Sequence, residues 1–200
     1  VWLCMHGQPL PEYVNMPNDA VEIPSKAMEQ FTLPFAELFF GKDAEKFRAD
    51  HMQYVLRETC AFCVTYEYEA WLYTHVDAST EERIQRYNEI SVVYQPAIDT
   101  SESSEALAQG AKLWQDMGLF MFPAYLVSYA LSDICALELC RRSEEDFDAA
   151  WADYRTLCAA GGSLDYAGLM QLAHLPVAYA AGSAKAAAAF VRNRLNLYKN

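Results

Sequence analysis

Basic residues are scarce in this chain. Fifteen Lys and Arg stand against 27 Asp and Glu, a formal net charge of −12 over 200 residues. That balance argues against nucleic acid and anionic membranes as partners, since both favour basic surfaces. It fits solubility. No apolar run reaches membrane-spanning length: the nearest, residues 118–131, contains Pro123 and soon meets Asp133, which suits a core helix. No signal-peptide pattern is present. The six cysteines are unpatterned. Cys60 and Cys63 form the one close pair, Cys135 and Cys140 lie far from it, and Cys4 and Cys158 stand alone. A structural zinc site would want two close pairs, so buried free thiols and a reducing, cytoplasmic location are expected. His6, His51, His75 and His174 are isolated, and no His-Glu-x-x-His occurs. The sequence therefore carries no helix face with two imidazoles one turn apart.

What is abundant is apolar and aromatic. Hydrophobic residues make up 53% and aromatic residues 14% of the chain, which excludes disorder and provides ample material for a core. The patterning predicts an all-α fold, a single helical unit over residues 1–200, with no convincing strand and no internal repeat. Residues 1–17, with Pro9, Pro11 and Pro17, read as extended or looped. A helix is expected from Asn18 or Asp19 into the region of Phe31, with Pro24 tolerated in its first turns. Pro34 should bend or restart it and Gly41 should end it. Over 43–76, Phe47, His51, Tyr54, Val55, Phe62, Tyr66 and Tyr73 recur at three- and four-residue steps, predicting one long helix. Ser79 and Glu82 have capping-box spacing. Residues 99–104 read as a loop, and 121–141 as a strongly apolar helix. Further helices are expected from Ser143 to Gly161-Gly162, from Ser163 to about Ala173, and over the Ala-rich stretch 184–198.

The most informative segment is Val21-Glu22-Ile23-Pro24-Ser25-Lys26-Ala27-Met28-Glu29-Gln30-Phe31. Its two carboxylates, Glu22 and Glu29, fall two turns apart on one helical face. Among so many apolar neighbours a buried carboxylate requires a cation or strong donors. The plainer alternative is a helix with two surface acids.

The segment continues as Phe31-Thr32-Leu33-Pro34-Phe35-Ala36-Glu37-Leu38-Phe39-Phe40-Gly41-Lys42-Asp43-Ala44. Further along come Trp71-Leu72-Tyr73, Tyr125, Tyr129, Ile134-Cys135-Ala136 and Ala160-Gly161-Gly162-Ser163-Leu164. In order and spacing this set resembles the M3 family of zinc oligopeptidases, particularly the oligoendopeptidase F branch. The resemblance spans most of residues 10–175. It implies the helical part of a zincin-type catalytic domain, Zn2+ as cofactor, and hydrolysis of short unfolded oligopeptides. Glu22 matches the family's third zinc ligand. Glu29 matches a carboxylate that supports the metal-binding histidines, the alternative being a buried acid paired with an arginine. Tyr125 and Tyr129 match a segment whose tyrosines stabilise the oxyanion at the scissile carbonyl, a role suited to aligned donors in a dry cleft. The alternative is two core aromatics. His51 also matches a family position and is read as structural, and Gly161-Gly162 as a helix terminator.

Counting back from Glu22, the family's metal helix would fall just upstream of Val1. The resemblance thus predicts the C-terminal piece of a larger peptidase, inactive alone, with the upstream part of the same protein as its partner. Relatives carry a His near positions 117 and 118 and a Tyr in place of Leu126; this chain has Met117, Gly118 and Leu126. That departure keeps a second reading open, a degenerate, non-catalytic module that retains the helical channel as a peptide-binding wall.

Overall fold

Helix ends in this chain follow local chemistry. The computed structural model describes residues 7–98, 101, 105–110 and 112–197, without the side chains of 106, 117, 118 and 197. Cys4, His6 and most of the expected loop at 99–104 lie outside the described residues. Those described contain eleven α-helices and no strand, and 77% of the described residues are helical, so the fold is all-α.

The helices are α1 (Asn18–Val21), α2 (Ile23–Thr32), α3 (Glu37–Phe40), α4 (Ala44–Thr74), α5 (Thr80–Tyr94) and α6 (Glu105–Gly110). They continue as α7 (Met117–Met121), α8 (Val127–Glu145), α9 (Phe147–Ala160), α10 (Tyr166–Leu172) and α11 (Ser183–Leu197). Ser79 caps α5 with a complete capping box: its Oγ accepts the Glu82 amide at 3.2 Å, and the Glu82 carboxylate accepts the Ser79 amide at 2.8 Å. The expected 43–76 helix is α4.

Three boundaries differ from the sequence reading. The helix expected from residue 18 to Phe31 breaks at Glu22, because Pro24 cannot donate a backbone hydrogen bond and the helix restarts around it. The helix expected over 121–141 is interrupted, with α7 ending at Met121 and α8 starting at Val127. Pro123 lies in the gap and Ala124 takes a left-handed φ of 57°. Past Ser143, α8 runs on to Glu145. Asp146 then caps α9 by accepting the Ala149 amide at 3.0 Å, and Asp165 caps α10 through Gly168 at 2.8 Å.

Contacts group the chain into two compact units, one formed by residues up to Leu56 and from Leu131 onward, the other by Arg57–Ala130. The first has its core around α2, where Ile23, Ala27 and Phe31 pack with Cys135, Ala136 and Leu139 of α8, Leu157 of α9, and Leu169 and Met170 of α10. The Phe31 ring meets Phe147, Trp151 and Tyr154 edge-on, a geometry that adds to plain burial. Just past the end of α2, the buried Arg48 guanidinium donates to the carbonyls of Leu33 and Pro34 at 2.9 and 3.3 Å, so these two carbonyls have a charged donor. The second unit packs Val64, Tyr68 and Leu72 of α4 against Ile90 of α5, with Tyr87 and Trp114 at the margin.

Gly161 and Gly162 terminate α9 as expected, Gly161 at φ 53°. Gly162 does more than terminate. Its amide donates to the Tyr13 carbonyl at 2.7 Å, and a Cβ there would lie 2.0 Å from the Asn15 carbonyl oxygen. Among the described residues no helix is long and apolar enough to cross a membrane.

Candidate functional site

Glu22 is the N-cap residue of α2, at φ −93° and ψ −6°. Its side chain does not cap the helix, so the carboxylate is held away from the helix's own amides. Ser25, in the first turn, donates its hydroxyl to the Glu22 carbonyl at 3.0 Å and to carboxylate Oε2 at 3.1 Å. Glu22 is half-buried and lines a cavity of about 500 Å³ together with Val21, Met28, Trp151, Tyr154 and Arg155. The cavity lining is mostly apolar, but Arg155 brings a cation to the same cavity.

Seven residues on, Glu29 is exposed rather than buried. Its charge acts on two neighbours, favouring the protonated forms of Lys26 and His51. His51 is half-buried, exchanges a 3.0 Å hydrogen bond with Gln30 and stacks on Phe47. Burial is the main influence on His51 and holds its pKa below the ordinary imidazole value. The imidazole is thus favoured neutral at pH 7.

Tyr125 and Tyr129 come together, but not as two positions on one helix face. Tyr125 precedes α8, and its ring meets that of Tyr129 edge-on at 5.6 Å. Tyr129 also stacks on Phe62 at 5.1 Å. The turn that delivers both is tied by Glu69, whose buried carboxylate accepts the Ala124 amide at 2.7 Å. Burial pushes the Glu69 carboxyl above the ordinary range, and the Ala124 bond opposes this in part. At positions 117 and 118, where the resemblance implies a His, only the backbone is among the described residues.

Cys60 and Cys63 are half-buried within α4, and Cys135, Cys140 and Cys158 are buried; all five are free thiols. Burial raises the Cys60 and Cys63 thiols, takes Cys140 to about 11 and Cys135 to about 12. Such thiols are weak nucleophiles and weak metal ligands at neutral pH. As a donor, Glu22 offers a hard oxygen of a kind zinc accepts. Among the described residues no group of three or more His, Cys, Asp and Glu could hold a metal ion, so this carboxylate fits one corner of a metal site and not a whole one.

Sequence reasoning overlooked the polar ties beneath α2. Lys26, 8% exposed, and Asp133, 1% exposed, form a buried ion pair at 3.2 Å. A signal for them existed: Lys26 stands in the stripe Ile23-Lys26-Ala27-Gln30, and Asp133 interrupts an apolar helix.

The chain superposes on PZ peptidase A, solved with an inhibitor, with a TM-score of 0.88 and 30% identity over 97% of its length. It superposes on an oligoendopeptidase F with a TM-score of 0.86 and 29% identity over 96%. An oligoendopeptidase F from Bacillus anthracis str. Ames gives 0.79 and 29% over 97%. Over nearly its whole length the chain is similar to part of the oligoendopeptidase F-type peptidases. It spans about a third of each of these structures, 31–34% of their length. No family model and no curated protein matches it. At 29–30% identity the oligoendopeptidase F-type likeness extends through α2 and α8 alike, since nearly the whole chain is covered.

Proposed function

We propose that this oligoendopeptidase F-type chain is the C-terminal portion of a zinc-dependent oligopeptidase, supplying the carboxylate ligand and one wall of the peptide channel. The observation that carries the reading is Glu22, half-buried at the edge of a cavity of about 500 Å³ with Ser25 on its carboxylate, in a chain that superposes on peptidases. Two histidines from the upstream part of the same protein would complete the donor set. Bound there, zinc would supply a Lewis acid to the scissile carbonyl.

The chain's own residues have separable tasks. Glu22 donates to the metal, and Ser25 orients its carboxylate. Glu29 orients the incoming histidines, fixing the tautomer that leaves a ring nitrogen for the metal. The Tyr125 and Tyr129 hydroxyls donate to charge developing on the carbonyl oxygen. Substrates are short unfolded oligopeptides, and the free thiols suit the cytoplasm.

The test is Glu22→Gln in the intact protein. Bound zinc, measured by elemental analysis, and cleavage of a reporter peptide are both expected to collapse while the helical circular-dichroism signal stays. Retention of zinc and cleavage would remove Glu22 from the metal. A second reading has its own observation: Leu126 lacks a hydroxyl, and the Tyr129 ring is engaged by Phe62 and Tyr125. A zinc-loaded intact protein that binds an oligopeptide without cutting it would favour a peptide-binding module.

A further inference from the structure

Buried ion pairs contribute little net stability. Desolvating two charges offsets their attraction, and apolar replacements often leave a protein equally stable. Helix α2 nevertheless keeps one, with Lys26 and Asp133 side chains 10% and 1% exposed and 3.2 Å apart.

Ile23, Ala27 and Phe31 set which face of α2 is buried, and the edge-on rings around Phe31 hold its C-terminal end. In the middle of the helix the contact is weaker in direction, because Ala27 has only a methyl group to interlock with its neighbours. A slip of one residue would rotate the face by about 100°. The directed bonds come from three different helices. Lys26 reaches Asp133 of α8, Gln30 one turn on meets His51 of α4 at 3.0 Å, and the Tyr154 hydroxyl of α9 donates to the Pro24 carbonyl at 3.3 Å. The charged bond, like that of Tyr154, is buried. It lies one turn from Glu22 and in the field of Glu29, which adds to the attraction on Lys26.

We infer that Lys26 and Asp133 are positioning residues, whose bond fixes the rotation of α2 about its axis and so the direction of Glu22 and Glu29. This rests on the reading of Glu22 as a zinc ligand. The pair touches neither metal nor peptide; it acts through the helix.

The test compares variants of the intact, zinc-loaded protein. Lys26→Met/Asp133→Ala removes both charges together, so none is left buried alone, and Tm is expected within a few degrees of the parent. Zinc affinity, read by competition with a chelating dye, is expected to fall about tenfold to a hundredfold, the usual cost of losing a group that orients a metal ligand. Parental Tm with parental affinity would show a merely structural pair and overturn the inference. Should that variant fail to fold, Lys26→Met/Asp133→Asn keeps the size of the acid and carries the same expectation and the same refutation. Glu22→Gln, assayed alongside, separates the two levels. Loss of zinc in Glu22→Gln but not in the double variant defeats only the positioning role. Unchanged zinc in Glu22→Gln defeats the ligand reading and this inference with it.

Discussion

Helix α2 and the turn at 122–126 bring in the residues to which chemistry is assigned, and they are built in opposite ways. In α2 the backbone is regular, and side chains such as Lys26 and Gln30 pin an ordinary helix in place. In the turn the backbone is irregular, and one buried side chain, Glu69, reaches out to hold it through the Ala124 amide. One arrangement spends polar side chains to orient a helix; the other spends a polar side chain to stabilise a bend. The first should be sensitive to loss of charge on the helix itself. The second should be sensitive at a residue far away in sequence, and to the backbone freedom of Ala124.

The largest expected effect asks whether the turn is chemical at all. In the intact enzyme, Tyr129→Phe removes only a hydroxyl, and turnover should drop by about tenfold to a thousandfold with the Michaelis constant nearly unchanged. Parental turnover would leave Tyr129 as a packing partner of Phe62 and Tyr125, and the contrast with α2 would become one of chemistry against scaffold.

A middle-sized effect sharpens the structural side. Glu69→Ala leaves the Ala124 amide without its acceptor and should cost about 1–3 kcal/mol by urea unfolding. Glu69→Gln keeps an acceptor and should stay near the parent. The pH dependence has a definite sign, because burial raises the folded-state pKa of Glu69 above its unfolded value. Burial disfavours the ionised form in the folded state relative to the unfolded chain. Stability owed to Glu69 then rises as pH falls through the raised pKa and levels off below the unfolded one. The difference between parent and Glu69→Gln should show that rise; a difference flat from pH 7 to 4 would argue against the burial of this carboxylate.

The smallest effect concerns the bend alone. Ala124 is exposed at φ 57°, a region costly for any residue with a Cβ. Ala124→Gly should therefore stabilise by about 0.5–1 kcal/mol, less than the full strain because glycine also frees the unfolded chain. Destabilisation would mean that the turn relies on alanine's restriction instead.

Legibility in the sequence divided along the same line. The capping box at Ser79, the long α4 and the all-α class were readable, because each depends on residues within a few turns of one another. Glu22 and Glu29 were readable as carboxylates seven residues apart, yet neither the helix break at Glu22 nor the exposure of Glu29 was, since exposure depends on what packs where. The gap between α7 and α8 was hidden by its own apolar composition: Pro123 was visible, but the bond from Ala124 to Glu69, 55 positions away, was not. The Lys26–Asp133 pair was half visible: each charge interrupts an apolar stretch, but nothing local in the sequence joins the two.

The close of α9 has a bearing on heredity. A methyl at Gly162 would collide with the Asn15 carbonyl, and the segment it displaces leads directly through α1 into Glu22. Every amino acid but one would enlarge that position. In a library of random variants, substitutions at 162 should therefore sort with those of the site itself, although glycine has no group to offer a metal or a peptide. Selection for catalysis would act there on an atom the protein must do without.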